Sequence, residues 1–189
     1  PGLGTIQPSQ SDYNQIVKGS GHGDFHNIVI APASAQDMYD FVDWGFELAF
    51  KYRNPVVILS DGIIGQMMEK VELHPAKPRM TDEERLKAAP WATTGKPASR
   101  ERNVITSLSL DADIQEAFNR KLKNKYDIIR ENEVKYSEYL TDDAEYLFVA
   151  FGCSSRICEA VVDELRAQGI KAGLLRPITL FPFPSEEIG

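Results

Sequence analysis

The sequence is short of the residues on which most catalysis and cluster binding depend. Its 189 residues include two cysteines, Cys153 and Cys158, and three histidines, His22, His26 and His74. Two cysteines cannot ligate a four-cysteine iron–sulfur cluster or a structural zinc. Their spacing is not the Cys-x-x-Cys of a redox pair. A helix is expected over 154–168, with Cys158 on it and Cys153 just before it. A disulfide is then not expected, and both read as reduced thiols of a cytoplasmic protein. No apolar run is long enough to span a membrane. Basic residues are outnumbered, 21 against 28, for a formal charge of −7 and a pI near 5.0. That balance argues against nucleic acid and suits solubility or a basic protein partner. The sequence opens on Pro rather than Met, and no basic-then-apolar leader is visible within it. The opening run Pro1-Gly2-Leu3-Gly4-Thr5-Ile6-Gln7-Pro8 is turn-like, because its glycines and prolines set special backbone angles. The expectation is that the chain starts inside a functional loop of something larger.

Patterning divides the rest. Ser11–Lys18 suits a short helix. Ile28-Val29-Ile30-Ala31 is an apolar run closed by Pro32 and reads as a buried strand. Ser34-Ala35-Gln36-Asp37 has a capping-box pattern and opens a helix to about Tyr52. Asp37, Asp40, Asp43, Glu47 and Lys51 make its single polar stripe, so the helix is expected to be packed on most sides. Asn54-Pro55 ends it, and Val56–Leu59 follows as a second strand, giving a parallel βαβ unit. Residues 70–105 hold Pro75, Pro78, Pro90 and Pro97 with little periodicity and read as a linker or extended arm. Ile114, Phe118, Leu122, Tyr126 and Ile129 predict a long amphipathic helix from Asp111 to about Tyr139, capped by Ser109 or Asp111, either continuous or broken near Tyr126. Tyr146–Phe151, a Gly turn, a Ser-capped helix through Ala167, Gly169 and Ile170–Leu175 predict a second βαβ unit. Phe181–Ile188 is a proline turn entering a further helix.

Four segments invite chemistry. Gly152-Cys153-Ser154-Ser155 could seat an anion at a helix N-terminus, but it lacks a P-loop lysine and reads as an ordinary turn. Ser60-Asp61-Gly62 falls at a strand end, where carboxylates line crevices in parallel sheets. It has Ser where a diphosphate–metal motif has Gly, and it too reads as a turn. Gly21-His22-Gly23-Asp24-Phe25-His26 reads equally as a structural turn or as the lip of an active site. The glycines there deny it the helical His spacing a metal prefers, and no nucleophile elbow accompanies it. The opening run offers Thr5, Gln7, Ser9, Gln10, Ser11 and Asp12, which orient a carboxylate or heterocycle rather than move protons. An ordinary loop is the other reading of that run.

In this order and spacing the segments resemble the α subunit of the 2-oxoacid:ferredoxin oxidoreductases, of the branched-chain (2-oxoisovalerate) or 2-oxoglutarate type. The family's loop runs roughly Gly-Pro-Ser-Thr-Gly and on to Gln-x-Asp. Pro1–Tyr13 is similar, with Gly2-Leu3 in place of Ser-Thr. Gly21–Asp24, Ile28–Pro32 and Lys51–Asp61 follow in family order, and Val149–Gly152 through Gly173–Pro184 resembles the transketolase C-terminal-like domain.

The resemblance implies an α/β fold of two incomplete parallel-sheet domains. Residues 1–70 would be the C-terminal part of a pyrimidine-type thiamine diphosphate-binding domain. Residues 71–143 would be a Pro-rich arm and linking helix, and 144–189 the start of the transketolase C-terminal-like domain. It implies oxidative decarboxylation of a 2-oxoacid by thiamine diphosphate, with acyl transfer to coenzyme A and electrons passed through iron–sulfur clusters to ferredoxin. Diphosphate and Mg2+ would sit on a β subunit, alongside a γ subunit and an iron–sulfur δ subunit or ferredoxin, in a dimer of heteromers. Gly4, Thr5, Gln7 and Gln10 would face substrate and thiazolium, with Asp12 and His22 as polar neighbours that orient and stabilise charge. The activating Glu and the Tyr-Pro-Ile-Thr-Pro signature would lie upstream of Pro1, so the chain is expected to be inactive alone, with no catalytic or metal-binding residue of its own. Two alternatives stand beside this: a non-catalytic assembly subunit of such a complex, and a piece of a transketolase or 2-oxoacid dehydrogenase.

Overall fold

The computed structural model describes residues 11–19, 21–93, 95–96 and 98–189. In chain order the elements are α1 (Ser11–Lys18), β1 (Ile28–Ile30), α2 (Ala35–Tyr52), β2 (Val56–Ile58), α3 (Asp82–Ala88), α4 (Ala112–Asn132), β3 (Tyr136–Tyr139), β4 (Tyr146–Val149), α5 (Gly152–Ala167), β5 (Ala172–Pro177), β6 (Thr179–Phe181) and α6 (Ser185–Ile188). Contacts group them into two compact units, Pro1–Glu72 with Leu122–Gly189, and Leu73–Lys121.

The first unit holds two small sheets. In one, β1 lies between β2, which is parallel to it, and β6, which is antiparallel. A central strand is covered on both faces, so its residues read as one apolar run; Ile28, Val29 and Ile30 are fully buried. The β1–α2–β2 crossover is the βαβ unit the sequence predicts. Ser34 caps α2 by accepting a hydrogen bond from the Asp37 N–H at 3.0 Å. At Gly45 the helix packs close, since a Cβ there would stand 3.5 Å from Val56 Cγ1. The helix ends at Arg53 in the left-handed region, φ 46°. Next to it the buried Asn54 amide donates to the carbonyls of His26 and Pro55, and its oxygen accepts from Lys125 Nζ at 2.8 Å. One side chain thus ties the entrances of β1 and β2 to α4. Leu48, Tyr126, Ile129, Leu180 and Phe181 complete the core with β1.

The other sheet has the order β3-β5-β4, with β4 and β5 parallel and β3 antiparallel to β5. Val162 of α5 packs on Ala172 and Leu174. The β4–α5–β5 crossover is the second predicted βαβ unit. Gly173 is required by close approach: a Cβ would lie 2.6 Å from the Leu140 carbonyl and 3.0 Å from Ala144 Cβ. Arg166 holds this corner, donating to the carbonyls of Ala172 and Leu140 at 2.7 Å each and pairing with Asp143.

The second unit, taken by itself, is an arm with a short helix. Thr81 and Glu84 form a reciprocal capping box at α3. The Asn103 amide gathers the carbonyls of Pro90 and Ala92, both at 2.9 Å. Asp111, one of the two cap residues predicted, accepts from the N–H groups of Asp113 and Ile114 at the start of α4.

Five expectations are corrected. Val42, Phe46 and Phe50 of α2 are 46%, 63% and 52% exposed, so this helix is not packed on most sides. Its apolar residues exceed what one face of a three-stranded sheet can cover. The long helix is unbroken and stops at Asn132 rather than near Tyr139, because Tyr136–Tyr139 pairs with β5 instead. The stretch read as a linker or extended arm contains α3. The helix after β4 begins at Gly152, so Cys153 lies on it and not before it, and it is not Ser-capped: Ser155 Oγ instead donates to the Gly152 carbonyl. Both sheets are mixed, since β3 and β6 add antiparallel strands that the sequence reading did not anticipate. The two cysteines are free thiols.

Candidate functional site

Gly4, Thr5, Gln7 and Gln10 lie outside the described residues. Asp12 sits in the first turn of α1, half-buried, and His22 is exposed in the bend over 21–24. His26, from the same glycine-rich segment, is half-buried against the core. Its imidazole stacks on Phe181 with centroids 4.5 Å apart and meets the Tyr126 ring edge-on at 5.2 Å. Burial first, and the Arg130 charge second, hold its pKa below the ordinary histidine value. Its Nδ1 is buried with no hydrogen-bond partner among the described residues. Of the two readings of Gly21–His26, the structure gives its last member to packing and leaves His22 on the surface.

Helix α1 carries Asp12 toward the rest of the fold. Its first turn is acidic and its last turn basic, as the helix dipole favours. Ile16 and Val17 pack against the main core, and Tyr13 stacks on Phe151 at 5.8 Å with ring planes 26° apart. Phe151 is the residue immediately before α5. At this point the fold brings Asp61 to the same place. Asp61 Oδ1 accepts from the N–H groups of Ile63 and Ile64 at 3.0 and 2.9 Å, which makes the turn the sequence predicts. Oδ2 does something the sequence reading missed: it accepts the Cys153 N–H at 2.7 Å from a segment 92 residues away. Burial alone would raise the Asp61 pKa; the amides of Ile64, Cys153 and Ile63 outweigh it and hold the carboxyl below its ordinary value. Burial and the adjacent carboxylate push the Cys153 thiol up, so it is no activated nucleophile.

A crevice of about 560 Å3 opens elsewhere in this unit, between the start of α2, the first turns of α5 and the β3–β5 face. Neither Asp12 nor His22 lines it. Arg176 and Asp37 face each other there at 3.1 Å, and Asp37 also accepts the Ala33 N–H. Arg156 donates to the Ala33 carbonyl and pairs with Glu69 at 2.8 Å. These pairs join α2, α5 and β5, and sequence spacing carries no signal for them because their partners lie up to 139 residues apart.

The described residues offer no cluster for the Mg2+ that accompanies thiamine diphosphate. No group of three or more His, Cys, Asp or Glu among them could hold a metal ion. The N-terminus of α5 is the anion seat a βα turn ordinarily offers, and there the Asp61 carboxylate already fills it. No helix among them is long and apolar enough to cross a membrane.

Comparison with known proteins agrees with the sequence pattern. Residues 1–138 match the family described as pyruvate flavodoxin/ferredoxin oxidoreductase, thiamine diP-binding. Residues 144–189 match pyruvate:ferredoxin oxidoreductase core domain II. The ketoisovalerate oxidoreductase subunit VorB of Methanothermobacter marburgensis is 54% identical over 100% of this chain and 52% of its own length. The 2-oxoglutarate synthase subunit KorA of Archaeoglobus fulgidus is 36% identical over 96% of this chain and 51% of its own. The chain therefore spans about half the length of the curated relatives it matches. The fold is similar to that of a 2-oxoglutarate:ferredoxin oxidoreductase from Magnetococcus marinus, solved with 2-oxoglutarate, coenzyme A and succinyl-CoA bound. The TM-score is 0.70 and the identity 20%, covering 95% of this chain and 35% of that one. By the family model over residues 1–138 and by 54% identity to a ketoisovalerate oxidoreductase subunit along its whole length, the chain belongs to the pyruvate flavodoxin/ferredoxin oxidoreductase family.

Proposed function

We propose that the complete protein is the α subunit of a thiamine diphosphate-dependent 2-oxoacid:ferredoxin oxidoreductase, and that its substrate is a branched-chain 2-oxoacid of the ketoisovalerate type. The observation that carries this is the 54% identity to a ketoisovalerate oxidoreductase subunit along the whole chain, against 36% for a 2-oxoglutarate synthase subunit. The reaction converts the 2-oxoacid and coenzyme A to an acyl-CoA and CO2, with the electrons leaving to ferredoxin. Thiamine diphosphate supplies the electron sink when bound, and the protein supplies orientation.

Within that reaction Gly4, Thr5, Gln7 and Gln10 are assigned to the substrate-facing loop, with Asp12 and His22 beside them. Their short polar groups orient a carboxylate and stabilise charge rather than abstract a proton. The diphosphate and Mg2+ are assigned to a β subunit, and the clusters to an iron–sulfur subunit; the two cysteines within these 189 residues cannot ligate one. A γ subunit and a dimer of such heteromers complete the assembly. Divisions at 1–70, 71–143 and 144–189 are kept for the chain; the core domain II match beginning at 144 supports the last. A cytoplasmic location suits the two free thiols.

The test is to co-express the full-length chain with its neighbouring subunits. Coenzyme A-dependent reduction of ferredoxin is then assayed with ketoisovalerate, 2-oxoglutarate and pyruvate. Preferential turnover of ketoisovalerate, lost when the partner subunits are omitted, is expected. Preference for 2-oxoglutarate would overturn the substrate, and turnover by the chain alone would overturn the division of labour. Gln7→Ala and Gln10→Ala should abolish turnover with assembly intact; lost assembly would instead favour the non-catalytic subunit.

A further inference from the structure

We propose that Asp61 is a positioning residue for α1, the helix that carries Asp12: by seating the first turn of α5 it fixes Phe151, the platform on which α1 rests. The proposal rests on the reading of Asp12 given above, but its first test does not depend on activity.

Each carboxylate oxygen has a separate duty. A turn at Ser60-Asp61-Gly62 needs only one oxygen, and Oδ1 serves it through the Ile63 and Ile64 amides. Oδ2 is free of the turn and is committed to Cys153, in the segment matched to core domain II. A charged acceptor at a helix N-terminus gains from both the amide and the helix dipole. The backbone is shaped around this contact. Gly152 has φ +61°, and a Cβ on it would stand 2.7 Å from Asp61 Oδ2. Only glycine both adopts that angle and leaves room for the carboxylate. The preceding residue, Phe151, is held extended at φ −128°, ψ 170°, and its ring meets Tyr13 of α1. The path from Asp61 through Cys153 and Phe151 to Tyr13 therefore runs over one hydrogen bond, two peptide units and one ring contact. It ends on the residue next to Asp12. Asparagine cannot replace Asp61 in full, since its single carbonyl oxygen can serve the turn or the helix but not both.

The experiment uses the full-length chain assembled with its partner subunits, as wild type, Asp61→Asn, Asp61→Ala, Gly152→Ala and Tyr13→Leu. Hydrogen exchange is read at α1, at the first turn of α5 and at β1 and β2. Asp61→Ala should speed exchange about tenfold at α1 and at the start of α5, leaving β1 and β2 unchanged. Asp61→Asn should fall between it and wild type, and Tyr13→Leu should free α1 alone. Cys153 should alkylate faster in Asp61→Ala, with Cys158 as the internal control. In turnover, Asp61→Ala and Tyr13→Leu should both lower kcat for the 2-oxoacid. An α5 start that opens while α1 exchange stays at the wild-type rate would overturn the proposal, as would unchanged kcat with α1 released. If Asp61→Ala does not fold, Asp61→Asn and Gly152→Ala decide the same question. If the wild type turns over no 2-oxoacid, the proposed function fails and the exchange data still judge Asp61.

Discussion

His26 and Asn54 are the residues at which sequence and structure meet most sharply. The imidazole of His26 is packed between Phe181 and Tyr126, and burial lowers its pKa, with Arg130 adding to the shift. Its folded pKa lies below the ordinary 6.5, so the stability it contributes is full above pH 6.5 and is lost as pH falls below that value. Denaturant midpoints measured from pH 7.5 to 5 should therefore decline, and His26→Phe should flatten the decline, since most carboxylates titrate lower. An unchanged slope in the variant would place the effect elsewhere. Asn54 is buried and serves three partners at once. Asn54→Ala takes a donor from the His26 and Pro55 carbonyls and an acceptor from Lys125, and should cost about 1–3 kcal/mol in urea unfolding. Neither role is legible from sequence. A histidine that closes a glycine-rich segment invites a reading as a ligand or an active-site lip, and the aromatic rings that pack on His26 come from residues 126 and 181.

Among the elements, those defined by local rules were legible. Continuous apolar runs marked β1, β2 and β4, the Ser34 cap marked the start of α2, and Asn54-Pro55 marked its end. Two classes escaped. Strands β3 and β6 are short and exist by pairing: Tyr136–Tyr139 is largely exposed, and only the register with β5 makes it a strand. Helix α3 is seven residues long, with a capping box, inside a Pro-rich stretch that reads as irregular. The start of α5 failed for a different reason, because its cap is supplied by Asp61 and not by a neighbouring Ser. Gly173 shows the same dependence on a remote partner. Its place in an apolar run looks like a weakness, yet the Leu140 carbonyl lies where a Cβ would go. Gly173→Ala should destabilise the chain by about 1–3 kcal/mol through that overlap. A thermal or urea unfolding curve coincident with wild type would contradict the contact.

For the whole molecule, the family was legible because several weak motifs occurred in one order, while the detailed site was not, because its partners lie outside the described residues or far along the chain. The two sheets of the first unit are joined by Arg156, Arg176 and Asp61, which all bridge sequence separations of about ninety residues or more. The unit should then unfold in one cooperative step. Val162→Ala, in the smaller core cluster, should cost about 1–3 kcal/mol. With Trp91→Phe as background, Trp44 fluorescence in the larger cluster should report the same shift as far-ultraviolet circular dichroism. A Trp44 transition that ignores Val162→Ala would mean that the sheets melt independently.

The antiparallel strand that closes the first sheet also governs how the chain is made. Ile30 leaves the ribosome long before Phe181, and at ordinary synthesis speeds the interval is roughly ten to thirty seconds. Throughout it, an all-aliphatic strand waits with one edge unpaired, the condition under which nascent chains stick to one another. Folding of the first sheet is accordingly a late event of translation, because residues 28–30 gain their second partner only when 179–181 emerge.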